Sequence, residues 1–584
     1  MSQAETEMGP GGQGDRLVRV DMSTQSISIE PFPQKWRLLG GRSLVARVLR
    51  EECDPNCDPL GPDNILILAP GVLAGTAAPT SGRLSIGGKS PLTGGSKEAN
   101  TGGNPGQHLM KLGYRAVFVT GKPADADARY GLEFDSEGVR IVPADDLKGI
   151  WNYPTCEELS TRYEKSASFI TCGPAGELQL GGASVATTDQ DNRYPTRHAA
   201  RGGLGAVMGS KGLKFAAVSP GKSRARRAAD KKEFGALVKG FSKRYLAGPQ
   251  QMAKGTAASV GMANAMHTFP TRNRTSGQFE HADKLDGRHI LDNFAKRGGG
   301  MHNCLTGCIV QCSNVVHDAE GSYITSALEF ESITMLGANC CIGDLDEVAR
   351  LDRLCDDVGL DTIETGAAIA IYMDAGKMEF GDSQGAKGLL QEIADGTPVG
   401  RMIGDGAVTT GRETGHARVP TFRGQAIPAW DPRPLKATGV TYATSAQGAD
   451  HTAGLVIKPG QPEEKWAKAS QKAQLINAIC DASGFCMFIS PTVEEIRQFF
   501  SAYFAEEIST REITDYGWAI LEDEWAFSDD AGFKLSDDVI PACVKEDAIG
   551  AENDQVFDAA PETLAAVRKL QVSPEELCPG VATG

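Results

Sequence analysis

Four cysteines have a spacing that could support metal chemistry. Cys304, Cys308 and Cys312 fall within nine residues, and Cys486 stands far along the chain. A [4Fe–4S] cluster takes four thiolates around one compact core, so a local set can supply three and a remote segment the fourth. Structural zinc usually takes its ligands as two closely spaced pairs, and no second pair accompanies this set. Plain buried cysteines are the third interpretation. The spacing favours the iron–sulfur cluster.

A short turn motif occurs twice. Residues 355–361 read Cys-Asp-Asp-Val-Gly-Leu-Asp, and residues 480–486 read Cys-Asp-Ala-Ser-Gly-Phe-Cys. Both copies share the pattern C-D-x-x-G and follow a helical pattern. A glycine closing a helix explains the turn itself. One copy in each of two helical lobes would also suit a ligand with two similar halves.

A glycine-rich stretch, residues 202–211, resembles a phosphate loop at first sight. The loop of ATP-binding proteins requires Gly-Lys-[Ser/Thr], but the order here is Gly-Ser-Lys. Met208 also occupies the place of the third glycine of the dinucleotide-binding fingerprint. ATP and NAD are therefore disfavoured, although the backbone amides of such a loop can still bind phosphate.

The elements that must position these residues change in type along the chain. Short apolar segments bounded by Gly, Pro, Asn or Asp predict strands, and Ser43–Glu52 has apolar residues at helical spacing. The predicted strands are residues 16–20, 27–30, 65–68, 83–86, 116–120 and 168–171. After residue 220, residues 329–378 and 462–526 show helical periodicity, separated by a proline-rich loop at 420–436. We therefore predict an α+β protein with a β-rich domain (1–219) and two mainly helical domains (220–425 and 426–584).

Composition excludes several classes of protein. The 584 residues carry 59 Lys+Arg and 75 Asp+Glu, giving a net charge of −16. Because a phosphate backbone attracts basic surface, this charge disfavours nucleic-acid binding. No apolar stretch is long enough to cross a membrane. The N-terminus, residues 1–15, lacks the basic start and apolar stretch of a signal peptide. We expect a cytoplasmic protein that is not integral to a membrane.

Several motifs together identify a family resemblance. They are residues 39–42, 69–71, 81–83, 99–103, 201–211 and 448–451, with the cysteine set and the two turns. With them the chain resembles the tungsten-containing aldehyde:ferredoxin oxidoreductases from about Leu17 to Asp529. The resemblance implies a base domain of two sheets and two largely helical domains related by a pseudo-twofold around a bis-pterin cofactor.

The resemblance also implies the cofactors and their ligands. Tungsten, or molybdenum, would be held by two pterins whose phosphates share Mg2+, with a [4Fe–4S] cluster beside one pterin. Asp356 and Asp481 would bind the pterin amino groups, and Arg83 would bridge cluster and pterin. The implied cofactor-binding residues are Arg83, Asn100, Gly102, Arg197, Ala199, Ala200, Arg201, Gly203, Asp356, Gly359, Leu360, Asp361, Asp481, Gly484 and Phe485. The implied cluster ligands are Cys304, Cys308, Cys312 and Cys486.

The implied activity is oxidation of an aldehyde to a carboxylic acid. Two glutamates, Glu329 and Glu331, stand near the family's catalytic position, and the distance to the first turn favours Glu331; His451 is its expected partner. Electrons would pass through the cluster to ferredoxin or an iron–sulfur subunit, which implies an oligomer or hetero-complex.

The chain departs from the family pattern at Cys304. The family spacing is C-x2-C-x3-C and this chain has C-x3-C-x3-C, so Cys304 is one residue out of register.

A second enzyme class on the same scaffold is the alternative. Tungsten-dependent reductases of aromatic-ring thioesters, the benzoyl-CoA type, resemble this chain over the pterin-binding residues. They place a cysteine on the metal and an acid and a histidine near the ring. Cys355 would be that ligand, and Glu280 and His289 would be that pair. The motif at residues 448–451 favours aldehyde oxidation.

Overall fold

Two six-stranded sheets form the N-terminal part of a computed structural model that describes residues 14–249, 252–535 and 540–579. The first sheet contains β1 (Arg16–Asp21), β2 (Ser26–Pro31), β3 (Leu66–Pro70), β4 (Leu84–Lys89), β5 (Ser96–Thr101) and β6 (Tyr114–Thr120). The second contains β7 (Tyr130–Phe134), β8 (Val139–Pro143), β9 (Ser168–Cys172), β10 (Val185–Thr187), β11 (Arg197–Ala199) and β12 (Leu213–Val218). All six predicted strands are confirmed, as is the helix predicted over Ser43–Glu52.

The second sheet repeats the topology of the first. Their strand orders are β2-β1-β6-β3-β4-β5 and β8-β7-β12-β9-β10-β11. The single parallel pair of each sheet is also equivalent, β1 with β6 and β7 with β12. The helices α1 (Gly41–Glu52) and α2 (Pro105–Lys111) have counterparts in α3 (Asn152–Arg162) and α5 (Leu204–Ser210), with α4 (Pro174–Glu177) between these two. The base of the molecule is therefore built from two halves of one design.

Helices dominate the rest of the chain. They are α6 (Lys231–Ala247), α7 (Ser259–Ala265), α8 (Gly287–Arg297), α9 (Phe330–Ser332), α10 (Leu345–Val358), α11 (Thr362–Asp374), α12 (Ser383–Asp395), α13 (Pro398–Gly404), α14 (Ala407–Thr414), α15 (Lys436–Thr444), α16 (Trp466–Ser483), α17 (Val493–Phe504), α18 (Thr510–Asp530), α19 (Ala542–Lys545), α20 (Pro561–Ala566) and α21 (Pro574–Leu577). A three-stranded sheet follows the cysteine set, formed by β13 (Gly300–His302), β14 (Ser313–His317) and β15 (Tyr323–Ser326), and a hairpin of β16 (Thr421–Phe422) and β17 (Gln425–Ala426) lies further on. This β-structure lies within the region that we predicted as mainly helical.

Each C-D-x-x-G turn lies on one of the two base sheets. Gly359 ends α10 with φ 84°, and Gly484 ends α16 with φ 89°, a conformation that strongly favours glycine. A Cβ on Gly173, just after β9, would lie 2.3 Å from the carbonyl oxygen of Val358, and one on Gly71, just after β3, would lie 2.1 Å from the Cα of Gly484. The close approach of backbones therefore places the two turns at equivalent points of the two halves.

Two sequence-based expectations concern the membrane and the N-terminus. Among the helices of the described residues, none has both the length and the apolar character needed to cross a bilayer. The sequence predicts that residues 1–15 are not a signal peptide. Residues 1–13 of this segment lie outside the described residues.

Candidate cofactor site and active site

The four predicted cluster cysteines come together between the base and the helical part. Cys304 and Cys308 are neighbours, and the interaction between their thiols lowers the pKa of Cys308. Cys312 and Cys486 lie close enough to this pair for their charges to interact, and all four residues are buried. The extra residue between Cys304 and Cys308 therefore leaves Cys304 with the other three.

The spacing of these four sulfur atoms fits a cluster better than a single ion. Tetrahedral zinc with Zn–S bonds of about 2.3 Å holds its sulfurs about 3.8 Å apart. No three of the four sulfurs, all in the described part of the chain, lie within 4.8 Å of one another. A multi-iron core fills such a wider arrangement.

Arg83 links the cysteines to the first base sheet. Its Nη1 lies 3.8 Å from the Cys486 sulfur, and its Nη2 donates to the backbone oxygen of Asn100 at 3.1 Å. Its Nε donates to the Asn100 side chain. Burial acts to lower the pKa of Arg83, but the nearby thiols and Asp481 outweigh burial and raise it. The guanidinium therefore stays charged beside the cysteines.

Arg197 approaches the cysteines from the second sheet. A Cβ on Gly102 would lie 3.3 Å from the Cys304 sulfur and 3.6 Å from Cδ of Arg197. The Arg197 guanidinium donates to Asp189 at 3.2 Å and lies 3.8 Å from Glu329. A side chain at position 102 would therefore press against the Cys304 sulfur, whereas glycine leaves the space beside the sulfur open.

The residues expected at the phosphates and Mg2+ meet where the edges of the two sheets face each other. β5, which carries Asn100, is the edge of the first sheet, and β11, which carries Arg197 and Ala199, is the edge of the second. Thr187 on β10 joins the edges, because its hydroxyl donates to the backbone oxygen of Gly102 at 3.1 Å. Ala200, Arg201 and Gly203 follow β11 into the start of α5, and Arg201 donates to Asp361 at 3.1 Å.

Asp481 lies in a buried pair of carboxyl groups at the second turn. Its Oδ2 lies 3.5 Å from Nη1 of Arg42, which binds Glu524 more tightly at 2.7 Å. Burial raises the pKa of Asp481, and the charge of Glu98 raises it further; burial likewise raises the pKa of Glu98. The Oε1 atom of Glu98 is buried without a hydrogen-bond partner in the described structure. A hydrogen-bond donor such as an amino-pyrimidine edge would satisfy these groups.

Asp356 occupies the corresponding place at the first turn. Its Oδ1 lies 3.1 Å from Nε2 of His198. Asp352, one helical turn earlier, is buried, and burial followed by the charge of Asp356 raises its pKa. Asn152, at the start of α3, donates to the backbone oxygen of Asp356 at 2.8 Å. Each turn thus has an additional buried carboxyl group beside its aspartate. Each turn also contacts one of two equivalent helices of the base, α1 at the second turn and α3 at the first.

The remaining turn residues are structural supports of the same site. Leu360 forms a β-bridge with Ala183, and Asp361 caps α11 by accepting a hydrogen bond from the Ile363 amide at 2.9 Å. Phe485 is fully buried and lies between Gly484 and Cys486. The second turn therefore connects the expected pterin site directly to the cysteines.

Glu331 and His451 meet although 120 positions separate them. Oε1 of Glu331 lies 3.8 Å from Nε2 of His451, and Oε2 accepts a hydrogen bond from the Ala429 amide at 2.6 Å. The Oε1 atom of Glu331 and the Nδ1 atom of His451 are both buried without a hydrogen-bond partner among the described residues. Buried polar atoms normally have partners, so both atoms retain a hydrogen-bonding capacity that a bound molecule would satisfy.

A buried ion pair holds the histidine segment in place. Asp450 forms an ion pair with Lys97 at 2.6 Å and accepts a hydrogen bond from the Thr452 amide at 3.0 Å. Burial acts to raise the pKa of Asp450, but Lys97 and Arg201 outweigh burial and lower it well below its usual range. Asp450 is therefore an anion fixed beside His451.

The residues of the alternative enzyme class are placed differently. Cys355 is fully buried in the core, where burial and then the carboxyl groups of Asp352 and Asp356 raise the pKa of its thiol. Glu280 is exposed, and His289 lies in the first turn of α8. The surroundings of Cys355 disfavour a thiolate, and the exposed acid lacks the environment of a buried proton donor.

Sequence reasoning missed several members of the site. They are Arg42, Glu98, Lys97, His198 and Asp352, all of them buried or largely buried polar residues. Arg42 belongs to the motif at residues 39–42, but its ion pair depends on the distant Glu524. Arg42 and Asp352 lie among the buried residues of α1 and α10, and that was the available signal, because ionised groups are rarely buried without a partner. Lys97 and Glu98 lie in the polar strand β5, which gives no such signal.

Comparison with known proteins gives the family. The model for the N-terminal domain of aldehyde ferredoxin oxidoreductase matches residues 17–220, and the model for domains 2 and 3 matches residues 236–570. The chain belongs to the aldehyde ferredoxin oxidoreductase family. It is 31% identical to the tungsten-containing aldehyde ferredoxin oxidoreductases of Pyrococcus furiosus and Thermococcus kodakarensis, with 91% of each chain covered.

Two further similar proteins have names that give other activities. The WOR-like subunit of an aliphatic sulfonate oxidoreductase from Pyrococcus furiosus is 27% identical over 83% of this chain and 81% of its own length. The active-site complex BamBC of benzoyl coenzyme A reductase, solved with 1,5-dienoyl-CoA, matches with a TM-score of 0.79 over 96% of this chain and 94% of that chain. Its 19% identity shows the shared α+β fold alone. Family membership makes the chain an oxidoreductase of the tungsten-pterin type and leaves its substrate open.

Proposed function

We propose that this oxidoreductase oxidises aldehydes to carboxylic acids reversibly, and passes the electrons through a [4Fe–4S] cluster to ferredoxin or an iron–sulfur partner subunit in the cytoplasm. The pair of Glu331 and His451 carries the proposal. Their unpartnered atoms lie in one site, 3.8 Å separates the two side chains, and neither side chain is more than about a fifth exposed. A general base and an acid at this separation suit attack of water on a carbonyl group.

The described residues fit the cofactors of the family. Asp356 and Asp481 would bind the two pterins, the facing sheet edges with Asn100 and Ala199 would bind the phosphates and Mg2+, and the four cysteines would hold the cluster. The metal, when bound, would supply a Lewis acid and a two-electron acceptor.

The protein's own residues would manage the protons. His451 would orient or protonate the carbonyl oxygen of the aldehyde, while Glu331 would take a proton from the attacking water. The amide of Ala429 fixes Oε2 of Glu331, so Oε1 remains available for that proton. Asp450, held by Lys97, would stabilise positive charge on His451, 3.8 Å away.

The test uses anaerobically purified, metal-loaded protein. Acetaldehyde and benzaldehyde should each be assayed for reduction of methyl viologen, with detection of acetate or benzoate. We expect one mole of acid for every two moles of viologen reduced, since the oxidation releases two electrons. Protein that contains the metal but turns over neither aldehyde, while reducing an aromatic thioester, would favour the alternative class.

Iron analysis tests the cluster. We expect about four irons per chain and a cluster EPR signal on reduction, since four thiolates bind a cubane. Cys486→Ala should lose most of this iron, and Cys304→Ala should lose it too, because the Cys304 sulfur lies with the others. The fully buried Cys156 is the matched control, and Cys156→Ala should keep the iron. Zinc without iron in the wild type, or full iron in Cys304→Ala, would contradict the assignment.

The role of Cys355 separates the two enzyme classes. Cys355→Ala should leave tungsten content and aldehyde oxidation largely intact, because its thiol lies in the apolar core. X-ray absorption should show only the sulfur ligands of the two pterins. An additional sulfur that disappears in Cys355→Ala would instead assign Cys355 to the metal and favour ring reduction.

A further inference from the structure

The C-terminal half of α6 lies over the four cysteines and presents positive charge to solvent. We propose that this surface binds an acidic one-electron carrier protein of the ferredoxin type. The surface is defined by Lys239, Lys243, Tyr245, Met252, Lys254 and Ile309 and is called the α6 surface. The inference rests on the proposed function, and it adds the place where the electrons leave.

Charge distinguishes the α6 surface from the rest of the chain. Residues 239–254 contain four Lys or Arg and no acidic residue, in a chain of net charge −16. Lys239, Lys243 and Lys254 are exposed, and none forms an ion pair with another described residue. Arg244 is paired with Glu495 at 2.7 Å and is left out of the definition. Unpaired lysines on an acidic protein would attract and orient an acidic partner.

The opposite side of α6 contacts the cluster segment. The ring of Phe241 lies 5.3 Å from the ring of Phe485, the residue before Cys486. Because a helix with side chains is about 10 Å across, one helix thickness separates the lysine side of α6 from the cluster segment.

The chain that follows α6 completes the surface. A Cβ on Gly255 would lie 2.9 Å from the backbone oxygen of Cys312, so the exposed Lys254 is next to a contact with the cluster loop. Tyr245, Met252 and Ile309 are partly buried and pack against the core that contains three of the cysteines. Transient protein–protein interfaces commonly have a small apolar centre surrounded by a charged rim.

The electron count requires a partner that binds briefly. Oxidation of one aldehyde with water yields the acid, two protons and two electrons. A carrier with a single cluster accepts one electron, so two molecules must dock and leave in each turnover. Electrostatic attraction between exposed charges accelerates such encounters without making the complex tight, and salt screens it.

Charge reversal on α6 tests the proposal in the complete, metal-loaded enzyme. The probe is an acidic plant-type [2Fe–2S] ferredoxin reduced with acetaldehyde as donor, and methyl viologen is the second acceptor. For Lys239→Glu with Lys243→Glu we expect kcat/KM for ferredoxin to fall about tenfold at low salt. Viologen reduction should stay at the wild-type rate, and the difference between the proteins should shrink at high salt.

A matched double variant controls for net charge. Lys377 and Lys569 are exposed lysines outside the α6 surface, and Lys377→Glu with Lys569→Glu should keep wild-type kinetics with ferredoxin. An equal loss in both double variants, or no loss in the α6 variant, would overturn the proposed surface. Failure of the wild type to reduce viologen with any aldehyde would instead contradict the proposed function, so the two failures are distinguishable.

Discussion

Glu331→Gln and His451→Ala are each expected to lower aldehyde-dependent viologen reduction by about 10²- to 10⁴-fold, the range that loss of a general acid or base removes. Oε1 of Glu331 and Nδ1 of His451 have no hydrogen-bond partner among the described residues, and 3.8 Å separates the two side chains. Neither residue holds the expected pterin turns, so the tungsten and iron contents should stay at wild-type levels. Initial rates and metal analysis on the same preparations measure both expectations.

Glu329 provides the comparison for Glu331. It precedes α9 and lies 3.8 Å from Arg197, on the side of the cluster cysteines. Glu329→Gln should therefore reduce the rate less than Glu331→Gln. If the two variants ranked in the opposite order, the catalytic base would be Glu329. A wild-type rate in both Glu331→Gln and His451→Ala would remove the pair from the reaction.

Local patterns predicted the features that depend on neighbouring residues. Six of the twelve strands of the base, the helix before Cys53 and the two glycine-terminated turns follow from apolar spacing and from glycine at a helix end. The clustering of Cys304, Cys308 and Cys312 was visible for the same reason. These interactions span few residues, so the sequence displays them directly.

The repeated topology of the two sheets was not predictable in this way. The strands of each half are short, and the equivalent segments β4 (Leu84–Lys89) and β10 (Val185–Thr187) share no evident pattern of residues. The two strands are equivalent in their position and direction within the sheets. Both are determined by the pairing of strands that are far apart in the sequence. The buried ion pair of Arg42 and Glu524 was not predictable for the same reason, because the two residues are 482 positions apart in the sequence.

Each of the two turns has a partner carboxyl group, but the two partner groups come from different parts of the chain. Asp481 lies near Glu98 on the first sheet, and Asp356 lies near Asp352 in α10. Only one of these additional acids comes from the base, so the two halves share their frame but differ in the side chains that it presents. Asymmetry of this kind suits a ligand whose two similar halves have different neighbours, since only the second turn continues into Cys486.

Asp356→Ala and Asp481→Ala are each expected to lower the tungsten content of purified protein severely. Removing one partner of a buried, charge-assisted contact costs about 3–5 kcal/mol, more than a hundredfold in binding. Asp357→Ala is the matched control, because Asp357 adjoins Asp356 but accepts a hydrogen bond from the Tyr153 amide at 2.8 Å. That variant should retain tungsten.

Iron content then distinguishes loss of the pterin from loss of the fold. Asp481 lies five residues before Cys486, so a collapsed second turn would release iron together with tungsten. Because the carboxyl group of Asp481 faces Arg42 and the thiol of Cys486 faces Arg83, Asp481→Ala should lose tungsten and keep about four irons. Full tungsten occupancy in both aspartate variants would show that the duplicated turns do not hold the cofactor, whatever the iron content.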